Sequence, residues 1–189
     1  LGPDGPRPTP AGLVVSNSAV DAEPVYVSLS PKSLLGGTSA TIVNLRTASS
    51  VTVAMLDGGF DPVPVDAIAG DSLEIEIAVG GGAPPIRTVV RVPANAPPIV
   101  VRTEPTAGKR DVPLNVRIIV VFSEPIDPAT VTGMTVRLRR GVSTVAGDLR
   151  LIDAGQMTAE FVPEELLAPS SDYDLLITRG IQDLDGEAL

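Results

Sequence analysis

Two pairs of acids stand two residues apart in this chain, Glu74 with Glu76 and Asp172 with Asp174. Paired carboxylates are the equipment of glycoside hydrolysis, where two groups of separated acidity flank the scissile bond at about 5–10 Å. On a strand, a two-residue spacing puts both acids on one face. Both pairs sit in alternating sequence, so each reads as a solvated sheet face. Ser30 and Ser33 flank Lys32, the residue types of a serine–lysine nucleophile. That chemistry needs a lysine stripped of water in a pocket, whereas Pro31 marks the turn that ends a strand. No catalytic residue is assigned.

Asp183-Leu184-Asp185-Gly186 resembles the opening of an EF-hand loop, with oxygen ligands ahead of a tight glycine turn. The remaining ligands and the closing glutamate are absent, so no metal ligand is assigned, and calcium near Asp183 and Asp185 stays open. Arg102, Arg117, Arg137, Arg139, Arg140 and Arg150 are all in the second half. On one face they would meet an anionic polysaccharide or an acidic neighbour. The simpler expectation is local pairing with the 14 acids of the same region.

Composition excludes several classes. The chain has 189 residues and a net charge of -9, and its acids outnumber its bases in both halves. Residues 22–95 carry 7 acids and 4 bases; residues 96–189 carry 14 and 9. Neither half has the basic footprint that phosphate neutralisation needs, and five aromatics are few for base stacking, so nucleic acid is not expected as a partner. Cys and His are absent, which removes disulfides, thiol nucleophiles, the usual general base and the commonest zinc ligands. Nothing in the sequence calls for a cofactor. No apolar run reaches the roughly 18 residues of a membrane-spanning helix. The chain starts at Leu1 without a recognisable signal peptide and reads as a piece of a longer product.

The elements that hold these residues are strands. Hydrophobic residues make up 43% of the chain and aromatics 3%, so the core must be aliphatic. Many β-branched residues, with 18 Gly and 19 Pro, favour strands and turns over helices. Residues 1–21 hold Pro3, Pro6, Pro8 and Pro10 and are expected to form an extended tether, as between a membrane anchor and a folded domain. Strands are predicted over 25–30, 40–45, 51–56, 60–66, 73–77 and 87–92. Alternation in Leu73-Glu74-Ile75-Glu76-Ile77 places the aliphatic residues inward and both glutamates in water. Pro93, Pro97 and Pro98 then make a short stiff connector between a first domain at 22–95 and a second at 96–189. In the second domain, strands are predicted over 99–103, 116–122, 134–140, 145–152, 157–162 and 173–178. Asp127-Pro128 is suited to cap a helical turn within 124–131, and 163–167 is expected to form another.

Several motifs in order then suggest a family. Pro98-Ile99-Val100, Glu104-Pro105, Val112-Pro113-Leu114-Asn115 and Val120-Val121-Phe122-Ser123-Glu124-Pro125-Ile126-Asp127 come first. Leu167-Ala168-Pro169, Tyr173 and Asp183-Leu184-Asp185-Gly186-Glu187-Ala188-Leu189 follow. Residues 97–189 resemble a bacterial Ig-like domain of the type repeated in surface-layer and cell-wall proteins. Leu167-x-Pro169 ahead of Tyr173 and Leu175 resembles a tyrosine corner, in which the phenol bonds backbone a few residues upstream. Members of this family normally continue past the final glycine turn into a last strand, whereas this sequence stops at Leu189. An open edge is therefore expected, closed by further chain or by a partner's strand. More faintly, Leu29-Ser30-Pro31-Lys32-Ser33 and Gly36-Gly37-Thr38-Ser39-Ala40-Thr41-Ile42 resemble the opening of IPT/TIG-type domains.

The expectation is an all-β chain of two tandem Ig-like β-sandwiches. The resemblance implies a non-catalytic spacer and protein-interaction module of an exported bacterial surface or envelope protein. The alternatives are a glycan-binding accessory module and a subunit of a surface layer or filament. Expected partners are other envelope proteins, with polysaccharide as the second class.

Overall fold

A computed structural model describes residues 9–17 and 24–189. The described chain is almost entirely strand and turn, and it divides between Ala96 and Pro97 into two compact units. The first unit contains β1 (Leu13–Val15), β2 (Val25–Leu29), β3 (Gly37–Asn44), β4 (Ser50–Ala54), β5 (Phe60–Val65), β6 (Ser72–Val79) and β7 (Ile86–Arg91). These form two antiparallel sheets, ordered β1-β2-β5 and β4-β3-β6-β7.

Side-chain alternation drives the closure of these sheets over one another. Leu73, Ile75 and Ile77 of β6 are fully buried, and Glu74 and Glu76 between them face outward. From the opposite sheet Val25, Val27 and Leu29 of β2 meet them, with Phe60 and Val65 of β5. Each large aliphatic side chain so buried contributes about 1.5–3 kcal/mol. The core is nearly free of aromatics, as the composition requires.

The expected tether over residues 1–21 is corrected where the structure describes it. β1 pairs with β2 through Leu13↔Leu29 and Val15↔Val27, and Leu13 and Val15 pack on the core. Thr9 Oγ1 lies 3.2 Å from Thr88 Oγ1, and Ser16 Oγ accepts from the Tyr26 N–H at 2.8 Å. Prolines stop at Pro10, so nothing prevents the following apolar run from donating to a sheet edge. Pro3, Pro6 and Pro8 lie outside the described residues.

The second unit contains β8 (Val100–Glu104), β9 (Ile118–Phe122), β10 (Val136–Arg140), β11 (Ser143–Thr144), β12 (Gly147–Leu151), β13 (Thr158–Pro163) and β14 (Asp174–Ile177). Its sheets are ordered β12-β13-β9-β8 and β11-β10-β14. Val120 and Phe122 from one sheet meet Val136 from the other, joined by Ile126, Ala159 and Ile181. A neighbouring cluster of Ile118, Leu138 and Phe161 extends the same interior.

Two expectations change here. The strand predicted over 145–152 forms as β12, Gly147–Leu151, on β13, but a two-residue strand not predicted, β11, precedes it on β10 in the other sheet. The chain crosses between sheets at Val145 and Ala146, and alternation alone does not reveal a crossing. Gly147 follows at once because a Cβ there would collide with the Phe161 ring and would meet Val162 O at 2.5 Å. The helical turn expected over 163–167 is absent: β13 runs on through Pro163, and the Leu167 N–H donates to Leu114 O. The turn at Asp127-Pro128 does form, as a 3-10 turn over Pro128–Thr130 with Asp127 Oδ1 accepting from the Ala129 N–H at 2.9 Å.

Candidate functional site

The paired acids behave as sheet-face residues. Glu76 ion-pairs with Arg87, its cross-strand neighbour, at 2.5 Å. Asp172 and Asp174 are both exposed, and Asp174 stands opposite Arg139 in the register of β14 and β10. Lys32 is exposed at a turn with φ of 64°, and its N–H donates to Asp57 O. Its ammonium is in water, which is the opposite of what a serine–lysine nucleophile requires.

Asp183 and Asp185 build a turn. Asp183 Oδ1 accepts from the Asp185 N–H at 2.9 Å and from the Glu187 N–H at 2.8 Å, while Gly186 takes φ of 87°. Local backbone donors thus account for this oxygen. Among the described residues, no group of three or more Asp, Glu, His or Cys side chains is placed to hold a metal ion.

Three of the six arginines are consumed by acids. Arg150 and Arg117 converge on Glu160 at 2.8 and 3.1 Å, and Arg102 lies 3.5 Å from Glu104. Glu160 is only 4% exposed, and the two guanidinium groups, Arg150 first, hold its carboxyl below the usual range. Arg137, Arg139 and Arg140 of β10 make no ion pair among the described residues. Arg137 Nε is buried without a hydrogen-bond partner. Alternation puts Arg137 and Arg139 on one face, opposite the buried Val136 and Leu138. A cleft of about 330 Å³ beside β10 is lined by Thr132, Val136, Thr144, Gly147 and Phe161, with Arg137 its single ionisable residue. Such a lining offers no nucleophile–base pair.

The loop before β14 supplies the deciding geometry. Tyr173 Oη accepts a hydrogen bond from the Ala168 N–H at 2.8 Å, a tyrosine corner at the edge of a two-sheet sandwich. A family model described as bacterial Ig-like domain matches residues 94–189. The chain belongs to the bacterial Ig-like domain family. No curated protein matches the chain. The match begins at residue 94, so the likeness of residues 24–92 to IPT/TIG domains has no support from it.

Bacterial Ig-like domains are typically found in bacterial surface proteins, and theirs is a non-catalytic fold. No helix among the described residues is long and apolar enough to cross a membrane. In this bacterial Ig-like domain the two aromatics of the core, Phe122 and Phe161, are buried, and Tyr173 is half-buried by its corner. In the first unit Phe60 is buried and Tyr26 half-buried. No aromatic is left as a flat exposed platform of the kind that sugar rings stack on.

Sequence reasoning missed two polar clusters. In the first unit Asp71, 6% exposed, accepts from Arg46 Nε at 2.6 Å and Nη2 at 2.9 Å, from Asn44 Nδ2 at 2.8 Å and from the Ile68 N–H. Arg46 first, then Asn44 and Ile68, hold its carboxyl far below the usual range. In the bacterial Ig-like domain Glu124 and Asp183 are each 4% exposed. Burial, then the charge of Asp183, push the Glu124 carboxyl up to about 8. The only available signal was an acid placed directly after the apolar run of β9.

Proposed function

We propose that the chain is a non-catalytic spacer and protein-interaction module of an exported bacterial surface or envelope protein. The observation that carries this reading is the match of residues 94–189 to the bacterial Ig-like family on an antiparallel sandwich with an aliphatic core. Stiff units of this kind hold other parts of a polypeptide at a distance and leave loops and strand edges for contacts. Sedimentation across a wide concentration range tests it: a spacer stays monomeric throughout. Concentration-dependent growth would instead favour a subunit of a layer or filament, joined through edges such as those of β8 and β14.

A second reading has its own observation. Arg137 and Arg139, which make no ion pair among the described residues, share one face of β10 on an otherwise acidic chain. Guanidinium groups suit the carboxylates of an acidic polysaccharide or an acidic protein surface. Retention on an immobilised acidic polysaccharide, lost at about 1 M salt, where the Debye length falls to about 3 Å, and in an Arg137→Ser/Arg139→Ser variant, would support it. Equal retention of the variant would remove it.

A further inference from the structure

Glu124 and Asp183 are distant in sequence and are brought together by backbone pairing. Glu124 directly follows β9 and Ser123, and two residues later Ile126 forms an antiparallel bridge with Asp183. The Asp127 N–H donates to Gln182 O at 2.9 Å, which locks the same junction. Both acids are 4% exposed, and among the described residues neither makes an ion pair with a base.

The hydrogen bonds around them are unequal. Asp183 Oδ1 accepts from the Asp185 and Glu187 N–H groups. Asp183 Oδ2 is buried and has no partner. Glu124 Oε1 receives one long bond, from Ser123 Oγ at 3.4 Å, and that hydroxyl oxygen also accepts from the Ile99 N–H at 3.0 Å. The ionisable groups that act on Glu124 are Asp183 and Asp185, both acids. Two carboxylates without a counter-charge in a dry site do not both remain ionised. Two backbone N–H groups already point at Asp183, whereas Glu124 has only the long Ser123 contact, so the proton belongs on Glu124.

We propose that Glu124 is a proton-binding site of this bacterial Ig-like domain, and that its protonated carboxyl, buried with Asp183 beside the Ile126–Asp183 bridge, fastens residues 182–189 to the end of β9. Removing the proton leaves two buried negative charges at the Ile126–Asp183 bridge, which weakens the hold of this junction on residues 182–189. The upward shift of Glu124 agrees with this in direction. A carboxyl with a raised value in the fold adds stability that is fully present below its unfolded value of about 4.3. That contribution declines as pH rises and is gone above about 8.

The test uses the full chain, with amide signals of residues 181–189 followed by NMR from pH 5 to pH 9.5, together with thermal unfolding. Wild type should lose amide protection in this segment and several degrees of melting midpoint towards pH 9. Glu124→Gln keeps the shape and cannot ionise, so it should flatten the pH profile and melt above wild type at pH 9. The same slope in the variant, or a variant melting below wild type at pH 9, overturns the proposal. Should the variant fail to fold, a carbon-detected titration of Glu124 in the unaltered chain decides. A midpoint above 7 agrees, and one between 4 and 5 overturns it.

Discussion

Tyr173 and Ala168 are joined by a single hydrogen bond, phenol oxygen to backbone N–H at 2.8 Å, and that bond closes the loop leading into β14. Tyr173→Phe keeps the ring in its cluster with Ile118, Leu138 and Phe161 but leaves the Ala168 N–H without its partner. The expected cost is about 1 kcal/mol. Chemical denaturation of the full chain should show a lower midpoint for the second unit and an unaltered first unit. An unchanged midpoint contradicts the role given to this corner.

The alternation in β6 separates two substitutions one residue apart. Ile75→Ala opens a cavity between two sheets in a core that cannot easily collapse, at a cost of about 2–5 kcal/mol. Glu74→Gln on the outer face should stay within about 0.5 kcal/mol of wild type. Equal effects at the two positions would refute the assignment of faces.

Gly147 is a steric requirement of the crossing from β11 to β12. Gly147→Ala pushes a methyl into the Phe161 ring and Val162 O, and overpacking of this kind costs about 1–3 kcal/mol. Equilibrium unfolding measures it. A neutral or stabilising alanine would show that the strands can separate here without loss.

Asp71 and Glu160 set the acid limb of stability. Both carboxyls lie below their ordinary values in the fold because guanidinium groups hold them ionised. Groups depressed in this way add stability that is present above the unfolded values of about 3.9 and 4.3 and is lost as pH falls through the folded values. Stability should therefore drop below about pH 4. Asp71→Asn should reduce that acid dependence in the first unit alone, and Glu160→Gln in the second alone, as read by urea midpoints between pH 2 and pH 6. A variant with the wild-type acid profile in its own unit argues against the corresponding ion pair.

Most strands were legible in the sequence because each buried face repeats every second residue, as in Leu73, Ile75 and Ile77. The family was legible because its motifs are spread in order through the second unit, from Pro98 to Leu189. Sheet membership was harder. Nothing in Ser143–Thr144 and Gly147–Leu151 tells a reader that the chain changes sheets between them. The segment around β1 was read from its prolines, and the short apolar run after Pro10 carried too little pattern to predict a pairing partner. Polar clusters were hidden for a different reason. Arg46 with Asp71, and Glu124 with Asp183, depend on register between segments far apart in the chain, which local patterns do not encode.

The most direct test of the account is where the whole gene product resides. Intact cells of the source organism should be labelled with a membrane-impermeant amine reagent, which Lys32, an exposed side chain, can accept, and with an antibody raised against this chain. The account predicts that both reagents reach the protein without lysis. Labelling that appears only after the cells are broken open, with the protein in the cytoplasmic fraction, would contradict it.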